Sequence, residues 1–233
     1  MKFNYQMRFS KTGRARFIAH LDTVSLLVRA IRRAGYDLAF TEGMRPKPIL
    51  SLAMPLGVGV EGEDEICEFS LRQRAPLTDL ARKISKQLPE GIGFKSVGPV
   101  YGRSKAASRV ESVSYRIELE NPPGDYTRAM HEYNAIRDPL VILRRRPKGD
   151  KEIDIRKYVP HVDLDDRGRG IVFDMRVTAG GTGRPEEIIE ALRILGSKEL
   201  EVSRTVRTGI VLGEEQRPAP AWRGGLAQRR GAE

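Results

Sequence analysis

Residues 11–22 read KTGRARFIAHLD and gather Lys11, Arg14, Arg16, His20 and Asp22 around Gly13. Such a set suits anion binding. Glycine permits a tight turn, and the free N–H groups that open the following helix favour negative charge. His20 is the candidate general acid or base of the stretch, because its unperturbed pKa lies close to neutrality. A histidine at a helix start serves equally well as a capping or packing group, and Asp22 suits the helix terminus itself. The stretch is neither a Walker loop nor a Rossmann glycine fingerprint.

Two further basic constellations follow. In TEGMRPKP, Thr41 to Pro48, Pro46 and Pro48 bracket Lys47 and stiffen a loop that presents Arg45 and Lys47. The alternative is a rigid connection carrying two solvated cations. RRRPKGDKEIDIRK, Arg144 to Lys157, places Arg144, Arg145, Arg146, Lys148, Lys151, Arg156 and Lys157 on an expected hairpin that could follow a phosphate backbone. Aromatic residues are only 6% of the chain and no RNP-type strand is present, which disfavours base recognition on an open sheet as in an RRM. A solvated hairpin tip is the plain alternative.

Arg204 poses a different question. It shares the register of Leu200, Val202 and Val206, so strict alternation turns it inward, and a buried arginine requires a partner. Asp154 and Asp174 are the candidates, with a structural Asp154–Arg204 ion pair expected in preference to a substrate site. A β-bulge would instead return Arg204 to solvent.

The sequence contains no HExxH, GxSxG, CxxxCxxC or Walker motif and only three histidines, which removes support for zinc hydrolysis, serine hydrolase chemistry and an autonomous iron–sulfur centre. No metal or cofactor is expected. Forty-one Lys and Arg against 31 Asp and Glu give +10, which favours a polyanionic partner, nucleic acid before acidic protein. Cys67 is the single cysteine, so no intrachain disulfide forms, and a cytoplasmic location without membrane contact is expected.

The elements that must position these residues are legible. Phe3, Tyr5, Met7 and Phe9 alternate with Lys2, Asn4, Gln6, Arg8 and Ser10 in strict period two. From His20 to Ala34 the apolar residues Leu21, Val24, Leu27, Val28 and Ile31 keep helical spacing, with Asp22 early, arginines late and Gly35 after the end. PILSLAM and DEICEFSL read as strands, LTDLARKISKQL as a helix and IGFKSVGPV as a strand. The order βαββαβ is the ferredoxin-like arrangement. After a linker at YGRSKAASR, a second pass begins with the alternation of Tyr115, Ile117 and Leu119. It continues with a helix over YTRAMHEYNAI, a hairpin of LVILRRR and KEIDIRKYV, a strand over Ile171, Phe173, Met175 and Val177, the helix RPEEIIEALRIL and the strand LEVSRTVRTGIV. The expected fold class is therefore α+β: tandem ferredoxin-like units with antiparallel sheets, at 1–101 and 110–212. A disordered basic tail over 213–233 completes the expectation, its composition being rich in Pro, Gly, Ala and Arg.

KTGRARFIAHLD, the helix ending RAIRRAG and the run TEGMRPKPILSLAMPLGVGVEGE together resemble the radical-SAM-linked uncharacterised family, a domain found alone or fused behind B12-binding radical SAM enzymes. DIRKYV, RPEEII and the final strand with Arg204 extend the resemblance to the tail. The family's usual loop is similar to GFNPHP, whereas GMRPKP here puts Met44, Arg45 and Lys47 where Phe, Asn and His are usual, and Ala19 stands where Ser is usual. The resemblance implies a radical SAM enzyme as partner and carries no assigned activity.

The function expected from these features is that of a noncatalytic accessory module binding structured RNA, tRNA or ribosomal RNA. Lys11, Gly13, Arg14, Arg16, His20, Arg45 and Lys47 would form one contact patch, and Arg144, Arg145, Arg146, Lys148 and Arg156 another. The alternatives are a protein-binding adaptor without RNA contact and an RNA-processing or RNA-modifying enzyme using His20.

Overall fold

The computed structural model describes residues 2–100, 105–147, 149–197 and 199–213. Strand β1 (Phe3–Lys11) follows its alternation, burying Tyr5, Met7 and Phe9 on one face while Asn4, Gln6 and Arg8 line the other. Helix α1 (His20–Arg33) buries Leu27, Ala30 and Ile31, carries Asp22 in its first turn and Arg32 and Arg33 in its last, in keeping with the helix dipole. Strands β2 (Leu50–Leu52) and β3 (Glu61–Leu71) come next, then α2 (Leu77–Ser85), which buries Leu80 and Ile84, and β4 (Ile92–Pro99). Beyond the link lie β5 (Val110–Leu119), α3 (Thr127–Ala135), β6 (Val141–Arg144), β7 (Lys151–Asp154), β8 (Asp163–Leu164), β9 (Gly170–Thr178), β10 (Gly181–Thr182), α4 (Pro185–Ile194) and β11 (Val202–Leu212).

Nine strands form one mixed sheet in the order β10-β9-β5-β11-β3-β1-β4, with β2 added to β3 and β8 to β9. The first half is thus ordered β4-β1-β3-β2 and the second β11-β5-β9-β8. All pairs are antiparallel except β11 and β3, which join the halves in parallel at Val206–Glu61 and Arg207–Gly62. Two apolar clusters fill the protein. One surrounds Met7, Phe9, Leu27, Ile31 and Phe69; the other surrounds Tyr115, Ile117, Tyr133, Ile171 and Ile188.

The second half departs from the expected succession in two respects. β6 and β7 do pair as a hairpin, Val141 opposite Asp154, but they form a separate two-stranded sheet. The short β8 takes the place beside β9 instead. β7 also stops early. Asp154 accepts a hydrogen bond from the backbone N–H of Arg156 and caps a 3₁₀ turn over Ile155–Lys157, so IRK is not strand. The expected tail from Glu214 onward lies outside the described residues.

Candidate functional site

The KTGRARFIAHLD stretch is tied down from within. β1's alternation extends to Lys11, which is 2% exposed and donates from Nζ to the carbonyl of Ile18 at 2.6 Å. Burial, partly offset by the Glu65 carboxylate, holds its pKa below the usual lysine value. Gly13, at φ 58°, opens a 3₁₀ turn over Gly13–Phe17, and its N–H points to Glu61 Oε1 at 3.2 Å. Arg16 reaches the same oxygen at 3.2 Å. Gly91 closes the turn from beneath: its carbonyl accepts from Thr12 N–H at 2.8 Å, and its φ of +83° leaves no room for a side chain against Thr12 and Ala15.

Glu61 is the centre of a seam between the halves. Its Oε2 accepts from Arg204 at 2.5 Å, and Arg204 also approaches Glu118 at 3.4 Å. Burial pushes the Glu61 carboxyl up, but the bonds from Arg204 and Arg16 outweigh it and hold the group below the ordinary range. Three residues further along β11, Arg207 is 1% exposed and forks onto Glu65 at 2.8 and 2.5 Å. Its remaining N–H groups donate to the carbonyls of Pro55 at 3.0 Å and Met54 at 3.2 Å. Two Arg–Glu pairs therefore tie β11 to β3, and the basic turn is part of that tie.

Arg45 and Lys47 stand elsewhere. The loop that carries them starts from the Phe40–Pro48 bridge, close to where Leu38 bridges Leu71 and Leu71 faces Phe3. It is therefore at the first end of β1, whereas Lys11 to Arg16 lie at the last, a separation of roughly 26 Å for eight steps of strand. Both loop cations are exposed, with Lys47 N–H bonded to Thr41. Three other cations join them at this end. Lys2 approaches Glu42 at 3.8 Å, Arg72 approaches Asp37 at 3.6 Å, and Arg74 is exposed with no bonded partner among the described residues. Lys2 stands on the rims of two clefts. One, of about 740 Å³, is lined by Phe3, Tyr5, Arg74, Leu77 and Pro99. The other, of about 710 Å³, is lined by Ala39, Phe40, Thr41, Pro46 and Arg72.

The hairpin cations are divided. Arg144 is folded inward as a bidentate partner of Glu187, at 2.6 and 2.8 Å, and donates to Thr182 O at 3.0 Å. Arg156 donates to Pro160 O at 2.6 Å and Ile136 O at 3.0 Å, its guanidinium lying 4.8 Å from the centroid of Tyr133. Arg145 and Arg146 are exposed; Lys148 lies outside the described residues. Beside β6, a groove of about 990 Å³ runs between the hairpin, α4 and β11. Val141, Leu143, Ile194 and Val202, each 44–59% exposed, line it.

A family model matches residues 4–186, that of DUF2344, described as "Uncharacterized protein conserved in bacteria". The chain belongs to this family. No curated protein matches it. Among solved structures, 87% of the chain is similar to 99% of an unknown protein from Galdieria sulphuraria, at 13% identity and a TM-score of 0.28. A "putative glycine cleavage system transcriptional repressor" is similar over 88% of this chain and 99% of its own, at 10% identity and a TM-score of 0.24. At those scores neither likeness carries an argument.

The expected residues thus fall into three groups. Lys11, Gly13, Arg16, Arg144 and Arg156 hold the fold together. Arg14, Arg45, Lys47, Arg145 and Arg146 are exposed, with no side-chain partner among the described residues, but at separate places, so the first expected patch is split between the two ends of β1. His20 begins α1 with its Nδ1 shielded and unbonded among the described residues. Arg204 does form an ion pair, with Glu61 and Glu118 in place of Asp154, which is occupied by the backbone N–H groups of Leu140 and Arg156. A bulge between Val202 and Arg204 shifts the register, leaving Arg204 a third exposed and turning Arg207 inward. Reasoning from sequence missed Glu61, Glu65, Lys2, Arg72 and Arg74. For Glu65 a signal existed, since it shares the period of Cys67, Phe69 and Leu71.

Among the described residues no cluster of three or more His, Cys, Asp or Glu could hold a metal ion, and no helix is long and apolar enough to cross a membrane.

Proposed function

We propose that this chain is a noncatalytic accessory module that binds structured RNA, tRNA or ribosomal RNA, through the cationic end of its first half, in partnership with a radical SAM enzyme that performs the chemistry. One observation carries the RNA reading. Lys2, Arg45, Lys47, Arg72 and Arg74, scattered between residues 2 and 74 of the sequence, converge on one end of the sheet, where among the described residues only Asp37 and Glu42 pair with any of them. Exposed guanidinium and ammonium groups around a concave surface neutralise phosphates and release counterions, which makes binding steeply dependent on salt. The enzyme partner rests on the resemblance of the chain's motifs to the radical-SAM-linked family. We read the repeated strand order as two ferredoxin-like units, 1–101 and 110–212, fused through β3 and β11.

The test is a salt series of binding to a structured RNA such as bulk tRNA. The wild type should bind with a dissociation constant on the order of micromolar and a log–log salt slope of about −3 to −4 if four or five phosphates are contacted. Arg45→Glu with Lys47→Glu should flatten the slope by about 2. Binding that is insensitive to salt, or unchanged by this reversal, rejects the electrostatic site.

The apolar groove beside β6 favours a second reading, a protein-binding adaptor. Four large exposed apolar side chains meeting in one groove mark a protein contact more than a phosphate contact. Arg145, Arg184 and Glu186 line the same groove, so its rim carries both signs of charge. In the first reading this groove seats the enzyme; in the adaptor reading it is the whole function, and no RNA binds.

A further inference from the structure

We infer that the two clefts at the cationic end take unpaired nucleotides, so that the RNA element recognised is a loop, bulge or end in place of a continuous duplex. The inference rests on the RNA reading above and adds to it the class of RNA.

Cations alone would suit any phosphate backbone; the concave apolar walls are what a duplex has no use for. An A-form duplex presents phosphates and 2′-hydroxyls across a shallow minor groove, while its bases are stacked inside and its major groove is too narrow to read. Unpaired bases, by contrast, bind by stacking on aromatic and apolar faces beside cations. Both clefts supply that combination. In one, Phe3, Leu77 and Pro99 form the wall and Arg74 the rim, with Leu77 40% exposed and so available for contact. Tyr5 is a fixed part of that wall, since its hydroxyl is engaged with the Ala75 backbone and its ring stacks on Phe69 at 5.6 Å. In the other, the Arg72 guanidinium lies over the half-buried Phe40 ring at 5.8 Å from its centroid, so a flat base can stack on the guanidinium that the ring backs. Each cleft falls within the size range of small-molecule pockets, large enough for a nucleoside. Lys2 lines both, which places one ammonium where the phosphate linking two adjacent nucleotides would pass.

The experiment compares a mixed-sequence ten-nucleotide RNA with the blunt duplex it forms with its complement, by fluorescence anisotropy with the full chain. The single strand should bind about tenfold more tightly than the duplex, as expected for one or two stacked bases. Phe40→Ala should weaken the single strand by about 5- to 50-fold and leave the duplex unchanged. Because Phe40 is partly buried, Leu77→Ser, at an exposed position in the other cleft, provides an independent arm with the same expected pattern. Arg74→Glu should weaken both probes. A duplex that binds as well as the single strand, or cleft variants that leave single-strand binding intact, would overturn the inference while the cationic site stands. Absence of binding to either probe with bulk tRNA still bound would overturn this inference alone; absence of binding to bulk tRNA as well would overturn the RNA reading itself.

Discussion

Arg207→Met is the substitution through which the seam between the halves can be weighed. Arg207 and Glu65 are both almost fully buried, with side chains 1% and 3% exposed, and they share two N–H···O contacts. Methionine approximates the length of the arginine stem but leaves the Glu65 carboxylate in the interior without its main counter-charge, and the carbonyls of Met54 and Pro55 without donors. Breaking one side of a buried ion pair costs about 3–5 kcal/mol, because the survivor's desolvation is no longer offset. Lys11, whose charge lies near enough to feel Glu65, should hold the loss toward the lower figure. At roughly 2–4 °C per kcal/mol for a chain of this size, the melting temperature should fall by about 6–20 °C. Denaturant titration is the assay, read as a shift in midpoint at constant m. Arg207→Met combined with Glu65→Leu should recover much of the loss, since the buried charge is then gone from both sides. A single-variant loss below about 1 kcal/mol, or strictly additive losses in the pair, would refute the reasoning.

Three further outcomes follow from the same geometry. Glu61 is held below its ordinary range, so its contribution is present above the unfolded carboxyl value of about 4.3 and lost as pH falls through the lower folded value; Glu61→Gln should cost roughly 2 kcal/mol at pH 7 and progressively less below pH about 4, by denaturant midpoints at each pH. Cys67 is fully buried, and burial pushes its thiol well above the ordinary range, so thiol reagents should label it only at the rate of unfolding; prompt labelling of native protein would contradict that burial. Gly91→Ala should destabilise by more than about 1 kcal/mol in thermal melts, since the new Cβ would meet Thr12 O at 2.7 Å with φ in the left-handed region.

Much of the fold is written locally. The period-two run of Phe3 to Phe9 and the helical spacing from His20 to Ile31 recover β1 and α1 almost to the residue, because each element buries one face. The same alternation, followed two residues further, already places Lys11 on the inner face. What stays hidden depends on contacts far apart in the chain. Nothing near Glu61 shows that Arg204, 143 residues away, will pair with it, and the bulges of β11 that exchange Arg204 for Arg207 on the inner face leave no mark in composition. The hairpin over residues 141–154 is legible as a hairpin, but its exclusion from the main sheet is decided by β8 taking the edge of β9. The candidate site is the least legible part. Lys2, Arg72 and Arg74 are unremarkable in sequence and acquire meaning only when β1 and β3 pair with Phe3 opposite Leu71.

Lysine acetylation footprinting of the protein with and without bound tRNA tests most directly where RNA sits. Lys2 and Lys47 are exposed at the cationic end, Lys151 and Lys157 are exposed at the hairpin, and Lys11 is buried. Protection of Lys2 and Lys47 on binding, with Lys151 and Lys157 unchanged and Lys11 unreactive in both states, is the predicted result. Protection confined to Lys151 and Lys157, with Lys2 and Lys47 as reactive as in the free protein, would contradict it.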